Sequence, residues 1–221
     1  MHLLDGFDDR IQAAGLLAQR LEAYRGRHPL VLAIPRGALP MAKVLADRLA
    51  GELDVVLVHK FGAPYDPEFA LGAVDETGWT YLTPDAGLYG ASGEYVQEEK
   101  QRQLEVLKQR RAQYTPCRPP IDPKGRIVIV VDDGIATGAT MIAALHATRA
   151  RAPAELVCAV PVAPLDSLES VKPLADKVVC LLPLVHMGSV GRYYRDFRQV
   201  DDEEVIRILS QPGAGQRHDL A

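Results

Sequence analysis

Five consecutive β-branched residues, Ile127-Val128-Ile129-Val130-Val131, constrain this chain more than any other segment. A strand with one wet face alternates apolar and polar residues, and this run does not. Both of its faces must therefore be dry, as in a parallel sheet covered by helices on each side. Residues 30–34 (LVLAI) and 54–58 (DVVLV) read the same way, as do 156–160 and 178–182. Helical spacing falls between them. Residues 8–24 have an acidic start and apolar positions Ile11, Leu16, Leu17 and Leu21, which predicts an amphipathic opening helix. Further helices are expected over about 39–50, 139–151 and 167–174. Strands alternating with helices predict an α/β fold of right-handed βαβ units around a twisted parallel sheet. A chain of 221 residues suffices for one such domain with a small appended subdomain.

Between the second and third strands the pattern changes. The stretch containing Phe61-Gly62-Ala63-Pro64-Tyr65-Asp66-Pro67 reads as irregular, and 72–83 as a hairpin turning at Thr77-Gly78. Residues 94–114 are dense in Glu, Gln, Lys and Arg, with Val96, Leu104 and Leu107 near helical spacing, which predicts a largely exposed helix. Residues 116–123 form a proline-rich connector, 201–209 a closing helix, and the last ten residues a frayed end.

Composition narrows the partners. The formal net charge of −4 provides no global field for nucleic acid or an anionic membrane. No apolar run approaches the roughly 20 residues needed to span a bilayer. Met1-His2-Leu3-Leu4-Asp5 lacks the basic region that opens a signal peptide. The cysteines, Cys117, Cys158 and Cys180, are odd in number and include no CxxC. Cys158 and Cys180 lie in apolar runs and read as buried thiols, which fits a reducing cytoplasm.

The chemistry is concentrated just past the β-branched run, in Asp132-Asp133-Gly134-Ile135-Ala136-Thr137-Gly138-Ala139-Thr140. Ligands of open parallel sheets bind beyond the carboxyl ends of the strands. Small residues at 136–139 let backbone N–H groups approach an anion, and the following helix offers its positive dipole end. Thr137 and Thr140 add hydroxyl donors. The adjacent carboxylates Asp132 and Asp133 could accept from paired sugar hydroxyls or hold a hydrated Mg²⁺. A phosphate beside a vicinal diol describes a ribose 5-phosphate. A bare Asp-Asp-Gly would be read as a helix cap and a turn, but the whole pattern is far more specific. No GxxxxGK[ST] loop and no strand-borne GxGxxG is present.

On these residues the chain resembles the type I phosphoribosyltransferases, whose signature is a hydrophobic strand, two acidic residues and a Thr-Gly loop. The order of strands and helices agrees over about 28–185. The resemblance implies phosphoribosyl pyrophosphate (PRPP) as donor, Mg²⁺ as cofactor, a nitrogenous acceptor, a homodimer, and displacement of pyrophosphate from C1 of the ribose through an oxocarbenium-like state. It assigns the ribose hydroxyls to Asp132 and Asp133, and the 5-phosphate to the loop of Ala136, Thr137, Gly138, Ala139 and Thr140, with Gly134 as a further PRPP-binding residue. It assigns pyrophosphate to Arg36 and Gly37 in Ile34-Pro35-Arg36-Gly37, where Arg36 also offers bidentate donors and Gly37 permits close approach. Lys60, expected at the end of the second strand, is a further pyrophosphate cation, while His59 reads as structural. The segment 60–92 takes the place of the mobile loop and hairpin, with Asp66 and Glu68 as loop charges. A hood is implied over about 186–210 together with the opening helix.

The hood carries Gly191-Arg192-Tyr193-Tyr194-Arg195-Asp196-Phe197. Tyr193, Tyr194 and Phe197 could stack on a planar base or pack the hood itself. Arg195 resembles the pyrophosphate arginine in the Tyr-Phe-Arg-Asp of hypoxanthine-guanine enzymes. Two departures separate the chain from those enzymes: Ala136 stands where they carry an acidic residue, and Ser189 where they carry a Mg²⁺-binding Asp. The donor is thus legible and the acceptor open. The alternatives are a PRPP sensor on the same fold, or another use of it such as hydrolysis or pyrophosphate transfer. Asp133→Ala and Arg36→Ala are expected to cripple turnover with the fold intact.

Asparagine is absent and Arg far outnumbers Lys. Heat adaptation and a GC-rich genome both produce this bias. Heat adaptation predicts a melting temperature above about 60 °C, mid-range for ordinary domains, and calorimetry showing a lower value assigns the bias to the genome.

Overall fold

The computed structural model describes residues 6–211, apart from the side chains of Pro67 and Glu68. Met1 to Asp5, and the expected frayed end at 212–221, lie outside the described residues. The chain runs α1 (Arg10–Arg20), β1 (Leu30–Ala33), α2 (Leu39–Leu49), β2 (Glu52–Val55), β3 (Val58–Ala63), β4 (Asp66–Asp75) and β5 (Thr80–Leu82). It continues through α3 (Gly93–Tyr114), β6 (Ile127–Val131), α4 (Ala139–Arg149), β7 (Glu155–Pro164), α5 (Leu165–Val171), β8 (Lys177–Leu184) and α6 (Asp202–Leu209).

The all-apolar runs form one parallel sheet, in the order β2-β1-β6-β7-β8. Alternate residues of its strands feed two cores. Val31, Ala33, Ile129 and Val131 pack with α1, α2 and α6, whereas Leu30, Leu32, Val128 and Val130 pack with α4 and α5. Every residue of β1, and Val128 to Val131 of β6, is buried, which is why these strands show no alternation. From β1 the chain moves outward to β2, and from β6 outward to β7 and β8. The crevice between β1 and β6 is therefore a topological switch point, where open parallel sheets hold their ligands.

Several expectations need correction. The apolar run 54–58 is not one strand. β2 ends at Val55, Val56 and Leu57 cross over, and β3 begins a separate antiparallel sheet, β3-β4-β5. Residues 55–58 are buried throughout, so hydrophobicity could not mark the crossing. Residues 61–71 are not irregular either. β3 and β4 form a hairpin whose turn is Pro64-Tyr65, with register shifts beside Gly62. The prolines that made this stretch look like a loop sit in that turn and near the start of β4. The second turn falls at 76–79, as expected, where Gly78 adopts φ +87°. Ile11 is half exposed, because the buried stripe of α1 runs through Arg10, Ala13, Ala14, Leu17 and Ala18. Cys158 is fully buried, but Cys180 only partly so, since β8 is a sheet edge.

The N-terminal segment is stitched to the segment after β8. Phe7 N–H donates to Tyr193 O at 2.7 Å, Arg195 N–H to Phe7 O at 2.9 Å, and Asp196 N–H to Asp8 O at 2.9 Å. α1 thereby brings its buried Arg10 to the end of β6.

Candidate functional site

β1 and β6 are in register, with Ala33 beside Val131, so the loops that follow them meet. Asp132 leaves β6, and its Oδ1 accepts the Asp133 N–H at 2.9 Å. The Asp133 Oδ2 accepts Arg10 Nε–H at 2.9 Å and Nη2–H at 2.8 Å. The Arg10 Nη1–H donates to Arg198 O at 2.8 Å, and its guanidinium lies 3.9 Å from the centre of the Phe197 ring. Tyr194 Oη–H donates to Asp133 O at 2.6 Å, while its ring stacks on Phe197 and leans on Phe7. A Cβ on Gly37 would fall 2.2 Å from Asp133 Oδ2 and 3.2 Å from Arg10 Nη2. Glycine at 37 is what lets the first loop close over this ion pair.

Burial raises the pKa of both carboxyls. Desolvation lifts Asp132 well above the usual carboxylate range, and the neighbouring Asp133 charge adds to this. Desolvation lifts Asp133 as well, with Arg10 pulling the other way.

A cavity of about 570 Å³ opens beside Asp133, floored by the loop Gly134, Ala136, Thr137, Gly138, Ala139 and Thr140. Gly138 adopts φ +87° at the N-cap of α4, and Ala136 and Thr137 are exposed at the loop tip. The loop is braced from below: Ser167 Oγ–H donates to Ala136 O at 2.6 Å and Ile135 N–H to Val162 O at 2.9 Å. Lys60 and Phe69 line the cavity from the second sheet, and Met187 and Val190 from the hood. Lys60 is thus not at the end of a parallel strand, as expected, but inside β3, paired with Ala73. It reaches the cavity because the β3–β4 hairpin leans over the switch point.

Other expected residues, Arg36, Gly37 and Asp132 among them, do not line the cavity. Arg36 follows a cis Pro35–Arg36 peptide and forms an ion pair with Asp202 at 3.2 Å. The same carboxylate accepts Tyr114 Oη–H at 2.6 Å. Tyr194 is buried, and Phe197 is packed between it and Arg10. Tyr193 is partly buried. Arg195 is largely exposed and pairs with Asp8 at 3.0 Å. His59 is half-buried, its Nδ1–H donating to Lys60 O at 2.7 Å, and desolvation lowers its pKa.

Arg10, Asp202 and Phe69 were missed from the sequence. Arg10 left a trace: it occupies a stripe position of an otherwise apolar helix face, and a buried guanidinium requires a partner. Its pairing also changes one expectation. Asp133→Ala would strand a buried cation, a change that typically costs about 3–5 kcal/mol, so the fold would not be left untouched.

Two substitutions test this geometry. Gly37→Ala drives a methyl into the Asp133–Arg10 pair, and urea unfolding should show a loss of about 1–3 kcal/mol, the usual cost of overpacking. Asp132→Asn retains the acceptor for the Asp133 N–H and removes a buried charge. A carboxyl whose folded pKa is raised destabilises the fold above that pKa, and the penalty fades as pH falls through it. The variant should therefore melt higher at pH 7, by about 2–4 °C for each kcal/mol relieved. That gain should shrink on acidification, and a pH-independent difference would contradict the assignment.

Residues 8–193 match the family model described as a phosphoribosyl transferase domain. Curated relatives from two strains of Mycobacterium tuberculosis, provisionally named phosphoribosyl transferases, are 40% identical over 209 residues. The match takes in 93% of this chain and 46% of theirs, so the chain spans about half the length of those relatives. The crystal structure of TT1426 from Thermus thermophilus is 47% identical, covering 93% of this chain and 98% of that one, with a TM-score of 0.77. The small-residue loop at the switch point and these likenesses lead to one assignment: the chain belongs to the phosphoribosyl transferase family.

Proposed function

We propose that the chain transfers the 5-phosphoribosyl group of PRPP to a nitrogenous acceptor of the nucleobase class, releasing pyrophosphate. The observation that carries this reading is one cavity at the sheet's switch point, where the Gly134–Thr140 loop, the Asp133 carboxylate and Lys60 converge. The loop amides and the N-terminus of α4 bind the 5-phosphate, with Thr137 and Thr140 as hydroxyl donors. Asp132 and Asp133 orient the ribose hydroxyls and offset the positive charge that develops on the ring as the C1–O bond to pyrophosphate breaks. Lys60 and Arg36 stabilise the departing diphosphate, and Gly37 gives it room. The β3–β4 hairpin closes over the cavity and excludes water.

Mg²⁺ fits the donor set. No group of three or more His, Cys, Asp or Glu forms a cage among the described residues, and Mg²⁺ characteristically combines one or two carboxylates with substrate oxygens and water. Asp132 and Asp133 would hold it, directly or through water, and it would supply charge neutralisation to the diphosphate.

Ala136 and Ser189 place no carboxylate where hypoxanthine-guanine enzymes have one, which favours a different acceptor. Tyr193, only partly buried, remains the candidate of the hood for stacking, and Phe69 joins it from the cavity wall. Arg195 would reach diphosphate only by leaving Asp8. The free thiols support a reducing, cytoplasmic setting. No described helix is long and apolar enough to cross a membrane. The dimer rests on the family resemblance.

Incubation with PRPP, Mg²⁺ and a panel of bases, followed by pyrophosphate release, tests the proposal. Release that requires one acceptor supports it. Binding with no release for any acceptor indicates a sensor, and release without acceptor indicates hydrolysis. Asp133→Asn, which spares Arg10 an empty partner, and Arg36→Ala should each lower turnover by about 10²–10³. Wild-type rates in either would remove that residue from the mechanism.

A further inference from the structure

A second cavity, of about 640 Å³, lies at the opposite end of α4 from the phosphate loop and shares no lining residue with the first. Its walls come from the C-terminal end of α4, the β4–β5 turn, the end of α3 and the connector before β6. Four buried side-chain polar atoms lack a hydrogen-bond partner among the described residues, and three of them belong to residues that line this cavity: Asp75 Oδ2, Arg111 Nη1 and His146 Nδ1. Native proteins seldom leave buried polar groups unsatisfied, and three around one space point to a ligand.

These atoms are held firmly. Asp75 Oδ1 accepts the N–H groups of Thr77 at 2.8 Å and Trp79 at 3.1 Å, leaving Oδ2 to one side. The Trp79 ring stacks on His146 with centroids 3.6 Å apart, keeping Nδ1 3.9 Å from Asp75 Oδ2. Arg111 grips Glu76 through Nε and Nη2, which leaves Nη1 without a partner.

The surrounding charges select the ligand's class. Arg111 is already neutralised by Glu76, and Arg151 faces Asp122 at 3.5 Å. Asp54 and Asp75 also line the space, so a phosphate or carboxylate would meet net repulsion. Leu32, Val56, Leu57 and Ile121 supply an apolar wall suited to a flat ring. We propose that this cavity is a second binding site for a neutral heterocyclic lactam of the nucleobase type. Its N–H edge donates to Asp75 Oδ2, and its carbonyl oxygen accepts from Arg111 Nη1. The assignment is independent of the chemistry proposed at the first cavity.

Guanosine and uridine carry this lactam edge on a purine and a pyrimidine, and neither has a free glycosidic nitrogen for transfer. Each is titrated into the whole chain with PRPP and Mg²⁺ already saturating, by calorimetry and by NMR of the histidine side chains. At least one nucleoside is expected to bind and shift the His146 ring signals, identified with His146→Gln. Ala147→Trp, which fills the cavity from α4, should weaken that binding at least about tenfold, the equivalent of one lost anchoring contact, and leave PRPP affinity unchanged. The wild-type NMR readout stands even if the variant folds poorly. Binding of neither nucleoside at millimolar concentration, or binding that leaves the His146 signals unmoved, would overturn the proposal. Retention of wild-type affinity in a folded Ala147→Trp would do the same.

Discussion

The site depends on one buried contact, the Arg10–Asp133 ion pair beneath Gly37. A carboxylate at the end of a buried strand is costly alone, because desolvation raises its pKa and favours the neutral form. Arg10 opposes that shift from α1, and α1 is itself held by the backbone bonds between the N-terminal segment and the hood. The pair thus joins β6, α1, the hood and the loop after β1. Removing either partner leaves a buried charge, so acid pair and hood are coupled energetically as well as spatially.

The same contact explains why the hood aromatics are less available than their composition suggests. Tyr194 and Phe197 hold Arg10 in place, Tyr194 through a hydrogen bond to the Asp133 backbone and Phe197 through its ring face. They preorganise the acid pair, whereas Phe69 on β4 borders the cavity directly. The second sheet matters for the same reason: by leaning over the switch point it delivers Lys60 to the loop, and its far turn forms part of the separate cavity at the other end of α4.

The parallel sheet was legible because strands buried on both faces are apolar without alternation, and the 132–140 loop because few arrangements place paired carboxylates ahead of a small-residue cradle. The break at Val56-Leu57 was not legible, since burial is continuous across two different sheets. The β3–β4 hairpin was hidden by its prolines, which argue locally against a strand that long-range pairing nevertheless forms.

From sequence alone came the βα architecture of the main sheet and the small-residue loop that follows β6, because both are written in contiguous residues whose pattern has a local physical cause. Tertiary structure alone decided which side chains meet. Arg10 and Asp133 are 123 positions apart, and Arg36 and Asp202 are 166 apart. No local pattern encodes such pairs. They arise because parallel strands in register bring their carboxyl-end loops together, and the hood is bonded back onto the chain's first helix.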